Sequence, residues 1–167
     1  GAATHGTREA SKDTQDGYTA EPEGSTGSAS GDNGPDGNNG AATGYTGIAN
    51  DDSTAAGANR TAYRKSSASG YSSSANYNST ATGYNSFAAN KSTATGYQSS
   101  AFTSSTATGD SSYAANKSSA SGYSSFANNN SSATGYQSTA NTNSTASGYK
   151  SGAYTNSTAN GYSSFAY

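Results

Sequence analysis

The sequence predicts an all-β fold: a β-solenoid, or parallel β-roll, of about ten 13-residue coils with an Ala/Ser/Gly interior and a Tyr ladder. Three observations carry this. Glycine recurs every thirteen residues, at Gly44, Gly57, Gly70, Gly83, Gly96, Gly109, Gly122, Gly135, Gly148 and Gly161. Alanine keeps step with it, five residues after each Gly (Ala49 to Ala166) and two residues before (Ala42 to Ala159, with Ala55 keeping the place in the Gly57 unit). The chain also has little else to bury: 167 residues contain one Ile (Ile48), four Phe and no Leu, Val, Met, Trp or Cys. A globule of this length needs large aliphatics to offset chain entropy, so the composition argues against compact enzyme folds. Such a composition ordinarily means disorder. A short fixed period over more than a hundred residues means a repeat architecture first.

Thirteen residues is too short for a helical hairpin repeat and fits no heptad or hendecad. It suits one coil with two short strands and two tight turns. In residues 92–96, "STATG", alternation puts Ser92, Ala94 and Gly96 on one face and Thr93 and Thr95 on the other. In residues 99–101, "SSA", Ser99 and Ala101 share a face and Ser100 opposes them. The invariably small face is predicted to point inward, which lets two sheets pack close. Backbone groups then pair with the coils above and below, and stability adds along the stack. Gly at the strand end suits a bend that needs positive φ or close backbone approach.

Tyr follows Gly in eight of the ten units: Tyr45, Tyr71, Tyr84, Tyr97, Tyr123, Tyr136, Tyr149 and Tyr162. Stacked coil on coil, these form the predicted ladder. The outward position four residues after Gly carries Ile48, Phe87, Tyr113, Phe126 and Phe165, and all but Tyr113 recur every three coils. Exposed rings at that spacing invite contact with another chain, and these five are the candidate assembly stripe. The opposite outward stripe reads Thr-x-Thr at Thr80, Thr82, Thr93, Thr95, Thr106 and Thr108, with Ser variants at Ser67, Ser69, Ser119 and Ser121. Asn-x-Ser/Thr triplets at Asn59, Asn78, Asn90, Asn116, Asn129, Asn130, Asn143 and Asn156 are candidate glycosylation sites, read as clustering at the second turn.

Residues 1–40 read differently, as an irregular acidic, Gly-rich arm or cap before a solenoid spanning 41–167. They hold Pro22, Pro35 and "GDNGPDGNNG", with two basic against seven acidic residues, whereas residues 41–167 hold six basic against three acidic. The C-terminal "GYSSFAY" stops in mid-unit without a cap, which suggests a longer parent chain or end-to-end assembly. Neither part has a charge run that argues for nucleic acid, and no apolar stretch approaches membrane-spanning length. His5 is the only His, no carboxylate pair recurs in the repeat, and no nucleophile elbow, P-loop or dinucleotide fingerprint is present. No catalysis, metal or cofactor is expected.

Residues 78–88, "NSTATGYNSFA", resemble the head repeats (Hep/Hag-type) of trimeric autotransporter adhesins, which also occur in phage tail fibres. The shared pattern A-x-G-x-x-S-x-A appears here as "ATGYQSSA", "ASGYSSFA" and "ATGYQSTA", and the resemblance covers residues 41–167. It implies a parallel β-roll outside the cell that trimerises and binds host or matrix surfaces. The family's unit is usually fourteen residues. Where it places Ile or Val before the Gly, facing the trimer axis, this chain has Thr82, Thr95 or Ser121. A second resemblance is to ice-binding β-solenoids and ice-nucleation repeats, through T-x-T stripes, small cores and Tyr ladders. It implies an ice face on the six threonines. The sequence thus leads to an extracellular, non-enzymatic structural or adhesive rod that assembles with itself as an oligomer, trimer or filament, with ice binding as the alternative.

Overall fold

The structure is a computed structural model that describes residues 14–16, 28–30, 40–45 and 47–167. These residues form an all-β, right-through stack of coils with two parallel sheets and no helix. The first sheet has twelve strands among the described residues, running in order from Thr14–Asp16 to Thr158–Asn160. The second has ten, from Ile48–Asn50 to Phe165–Ala166. From Ser28 onward each strand pairs with its equivalent thirteen residues on, as in Thr80↔Thr93↔Thr106 in one sheet and Ala88↔Ala101↔Ala114 in the other. Ten coils at a strand spacing of about 4.8 Å make a stack roughly 48 Å long.

The inward faces are as the alternation predicts. The core is a double file of alanines, nearly all with no exposed surface, from Ala42 to Ala159 on one sheet and from Ala49 to Ala153 on the other. Two files of serine line the corners. In the file four residues before Gly, each hydroxyl does two jobs. The Oγ of Ser92 accepts the N–H of Ser105 in the next coil at 3.1 Å and donates to the Asn90 carbonyl at 3.5 Å. The same link repeats from Ser53 to Ser157, at 3.1–3.3 Å. It carries the hydrogen-bond ladder through a corner where strand pairing stops, which satisfies buried N–H groups. The file three residues after Gly is equally buried but less engaged. The Oγ of Ser99 donates to the Gly96 carbonyl at 3.4 Å, and those of Ser73, Ser125, Ser138 and Ser151 find no partner among the described residues. From Ser73 onward that position holds a small side chain in every coil, and its hydroxyl makes one long donor contact, at 3.4–3.5 Å, or none.

The two corners differ in backbone. At one, Gly takes φ between +106° and +124°, and a Cβ on Gly96 would lie 2.4 Å from the carbonyl oxygen of Gly109. Both the conformation and the approach of the next coil demand Gly. At the other, two consecutive residues are left-handed, as at Asn90 (φ 59°) and Lys91 (φ 62°). Asn tolerates that region best among residues with a side chain.

Two features depart from the sequence reading or escape it. The first sheet continues into residues 1–40: Thr14–Asp16 pairs with Ser28–Ser30, which pairs with Ala41–Thr43. The period was legible there, since Gly31 precedes Gly44 by thirteen and Ala29 precedes Gly31 by two, while Gly17-Tyr18 is out of step by one residue. The other feature is Arg60, fully buried where other coils have Ser. Its guanidinium reaches back to the preceding coil, where Nη2 lies 3.0 Å from where a Cβ on Gly44 would be and donates to the Thr43 carbonyl. Desolvation holds its pKa below the ordinary Arg value.

Candidate functional site

The interior is filled by Ala and Ser, so function falls to the outward surfaces: two sheet faces and two corners. Every charged side chain from 41 to 167 except Arg60 lies at a corner. The twenty outward positions of the second sheet, four and six residues after each Gly, carry no Lys, Arg, Asp or Glu.

On that uncharged face the candidate assembly stripe is partly a continuous aromatic run. Phe87, Tyr113 and Phe126 are joined through Phe102, which the sequence reading missed. Ring centroids are 5.0 Å apart for Phe87–Phe102, 5.7 Å for Phe102–Tyr113 and 5.0 Å for Tyr113–Phe126, the last pair stacked at 5°. Four consecutive coils therefore contribute one ring each. Phe102 lies in the column six residues after Gly, and it bridges diagonally because cross-strand neighbours lie within reach of aromatic side chains. Each ring shares its coil with a smaller residue: Phe87 with Ala89, Phe102 with Ser100, Tyr113 with Ala115. Reading the two columns together, instead of one, would have found the run. Ile48 stands apart at the N-terminal end of this sheet, beyond Thr61 and Ser74 in its column. Phe165 stands at the other end, where its ring packs over Gly152: a Cβ there would lie 2.8 Å from Phe165 Cδ1. Tyr154 and Tyr167, stacked at 5.4 Å, extend the aromatic surface beside it. Phe126 and Phe165 are exposed; Phe87, Phe102 and Tyr113 are half-buried by one another.

The Tyr ladder forms at the Gly corner in two segments. Tyr71, Tyr84 and Tyr97 stack at 5.1 Å and 9°. Tyr123, Tyr136, Tyr149 and Tyr162 stack at 4.9–5.0 Å and 4–7°. Asp110 separates the segments. The side chain of Tyr45 lies outside the described residues.

On the first sheet, Thr80, Thr82, Thr93, Thr95, Thr106 and Thr108 are all exposed and in register, a patch three coils deep and two columns wide. Ser67 and Ser69 flank it on one side and Ser119 and Ser121 on the other.

The sequon asparagines are all exposed. Asn78, Asn90, Asn116, Asn129, Asn130, Asn143 and Asn156 occupy the paired left-handed corner, while Asn59 (φ 52°) sits at the Gly corner instead. The fold supplies a reason for the triplets independent of sugar. A left-handed turn selects Asn, and the Ser or Thr two residues on belongs to the hydroxyl ladder or the outward Thr stripe. Within this corner Asn116 Nδ2 donates to the Asn129 side-chain oxygen at 3.0 Å, and Asn143 Nδ2 to that of Asn156 at 3.2 Å.

Among the described residues no three His, Cys, Asp or Glu side chains converge on a point that would hold a metal ion. No protein-family model matches the chain, and no curated protein matches its sequence.

Proposed function

We propose that this chain is a non-enzymatic, fibrous structural or adhesive module that self-assembles through the aromatic face of its second sheet. One observation carries the reading: Phe87, Phe102, Tyr113 and Phe126 make an unbroken aromatic run on a sheet face with no charged residue in either outward column. A surface of this kind gains most by leaving water. A second copy is the occupant that suits it. Large rings alternating with Ala89, Ser100 and Ala115 give knobs and hollows that a twofold-related copy meets in kind, and the charged corners stay in water. A cell-surface or matrix setting belongs to the same proposal and is supported by the likeness of "ATGYQSSA" and its relatives to adhesin head repeats.

Mass photometry and sedimentation velocity test it. The wild-type chain should form discrete oligomers or filaments. The triple variant Phe87→Ser/Phe102→Ser/Phe126→Ser should sediment as a monomer with an unchanged circular dichroism spectrum. A wild-type chain that stays monomeric at high micromolar concentration would falsify self-assembly.

A second reading is favoured by the bare, in-register threonine patch on the opposite sheet. As a face that orders water into an ice-like layer, it requires Thr93 and Thr95 exposed and in register with their neighbours, as they are. Thr93→Tyr/Thr95→Tyr should then abolish thermal hysteresis without changing oligomeric state; a wild type with no hysteresis refutes it.

A further inference from the structure

The break in the tyrosine ladder is a slot with the thickness of one ring. The corner backbone runs through it unchanged. Gly109 (φ +117°) and Ser111 (φ 55°) match Gly96 (+123°) and Gln98 (51°) before them and Gly122 (+124°) and Ser124 (50°) after them. The Ser111 N–H donates to the Tyr97 carbonyl and the Ser124 N–H to the Asp110 carbonyl, both at 2.8 Å. The Asp110 side chain therefore starts where a Tyr side chain would start, but its carboxylate ends near the Cγ of the missing ring. The walls are the faces of Tyr97 and Tyr123. They stand two coil steps, about 10 Å, apart, so a planar guest midway lies about 5 Å from each, the spacing the ladder uses elsewhere. Each has a stacked ring on one side only: Tyr97 and Tyr123 are each 47% exposed, against 44%, 40% and 37% for Tyr84, Tyr136 and Tyr149, which have rings on both sides. The floor is anionic. Asp110 Oδ1 accepts the Ser111 hydroxyl at 2.7 Å, and the nearest cation in the two corner columns, Lys150, is three coils away.

We propose that this slot binds a planar organic cation, a guanidinium or amidinium group, which takes the place of the absent ring between Tyr97 and Tyr123 and pairs with the Asp110 carboxylate. Two π faces attract a cation from above and below, and planarity lets it fill the rung. The carboxylate at the base excludes anions and distinguishes a cation from a neutral ring. An arginine side chain and a free aromatic amidine offer the same chemistry. The slot lies on a corner, clear of both sheet faces, so its occupancy does not depend on self-assembly.

Titration with benzamidine, followed by the ring resonances of the tyrosines, tests the proposal. Saturable shifts should concentrate on Tyr97 and Tyr123, with a Kd of about 1 mM or tighter that weakens with added salt. Benzamide, the neutral analogue of the same shape, should bind at least about tenfold more weakly, as should benzamidine to Asp110→Asn. Asp110→Tyr, which completes the ladder, should bind none while retaining the wild-type circular dichroism spectrum. N-acetylarginine amide runs as a second arm: tighter binding than benzamidine assigns an arginine side chain as the ligand, and the reverse order an aromatic amidinium. Absence of saturable shifts with either cation overturns the proposal. So does equal affinity for benzamide, or full affinity in Asp110→Asn.

Discussion

Ser92 and Ser99 belong to the same coil, are equally buried and lose the same atom on replacement by Ala, yet the structure assigns them different costs. The Oγ of Ser92 accepts the buried N–H of Ser105 at 3.1 Å. In Ser92→Ala that N–H has neither partner nor water, and a buried orphaned donor costs about 1–3 kcal/mol. The Oγ of Ser99 accepts nothing and makes one long donor contact at 3.4 Å. In Ser99→Ala the loss of that contact, at most about 1 kcal/mol, is offset by removing a polar atom from the interior. Ser92→Ala should therefore be less stable than Ser99→Ala by about 1–2 kcal/mol. Urea unfolding followed by circular dichroism measures both. Because the sites share a coil, any departure from all-or-none unfolding affects them alike. Equal costs, or a larger cost for Ser99→Ala, would refute the claim that the hydroxyl ladder, and not small size alone, selects Ser before each Gly.

Three further outcomes follow from the same geometry. Gly96→Ala combines backbone strain at φ +123° with a Cβ 2.4 Å from the Gly109 carbonyl oxygen, so it should cost more than about 3 kcal/mol and lower the thermal midpoint in a melt. Thr103 is β-branched at φ 53° between Asn90 and Asn116, so Thr103→Asn should stabilise by about 0.5–1 kcal/mol in the same urea assay, and destabilisation would contradict the account of that corner. Tyr136→Ala removes the ring between Tyr123 and Tyr149 and should cost about 1–2 kcal/mol, whereas Tyr162→Ala, with one stacking neighbour and 79% exposure, should cost less than half as much by chemical denaturation.

The repeat made most of the architecture legible. A 13-residue period with Ala and Ser alternating against variable positions specifies two short strands per coil, their inward faces and the Gly bend, because strand periodicity is two and only Gly fits that corner. The Tyr ladder followed from the same register. What lay beyond the sequence reading came from neighbours across coils. Phe102 joins the assembly stripe only because adjacent strands bring its column diagonally against Phe87 and Tyr113. Asp110, an ordinary departure from a consensus in one dimension, becomes a slot only when Tyr97 and Tyr123 stand on either side of it. Arg60 is a surface residue by type and a core residue in fact, its guanidinium held by the Thr43 carbonyl one coil away. The two serine files look identical as text, and only the fold makes one a hydrogen-bond ladder and the other a file of spacers. The sequence determined the coil, since the coil is a local repeat. The tertiary structure decided which residues of successive coils meet, because those contacts run perpendicular to the chain.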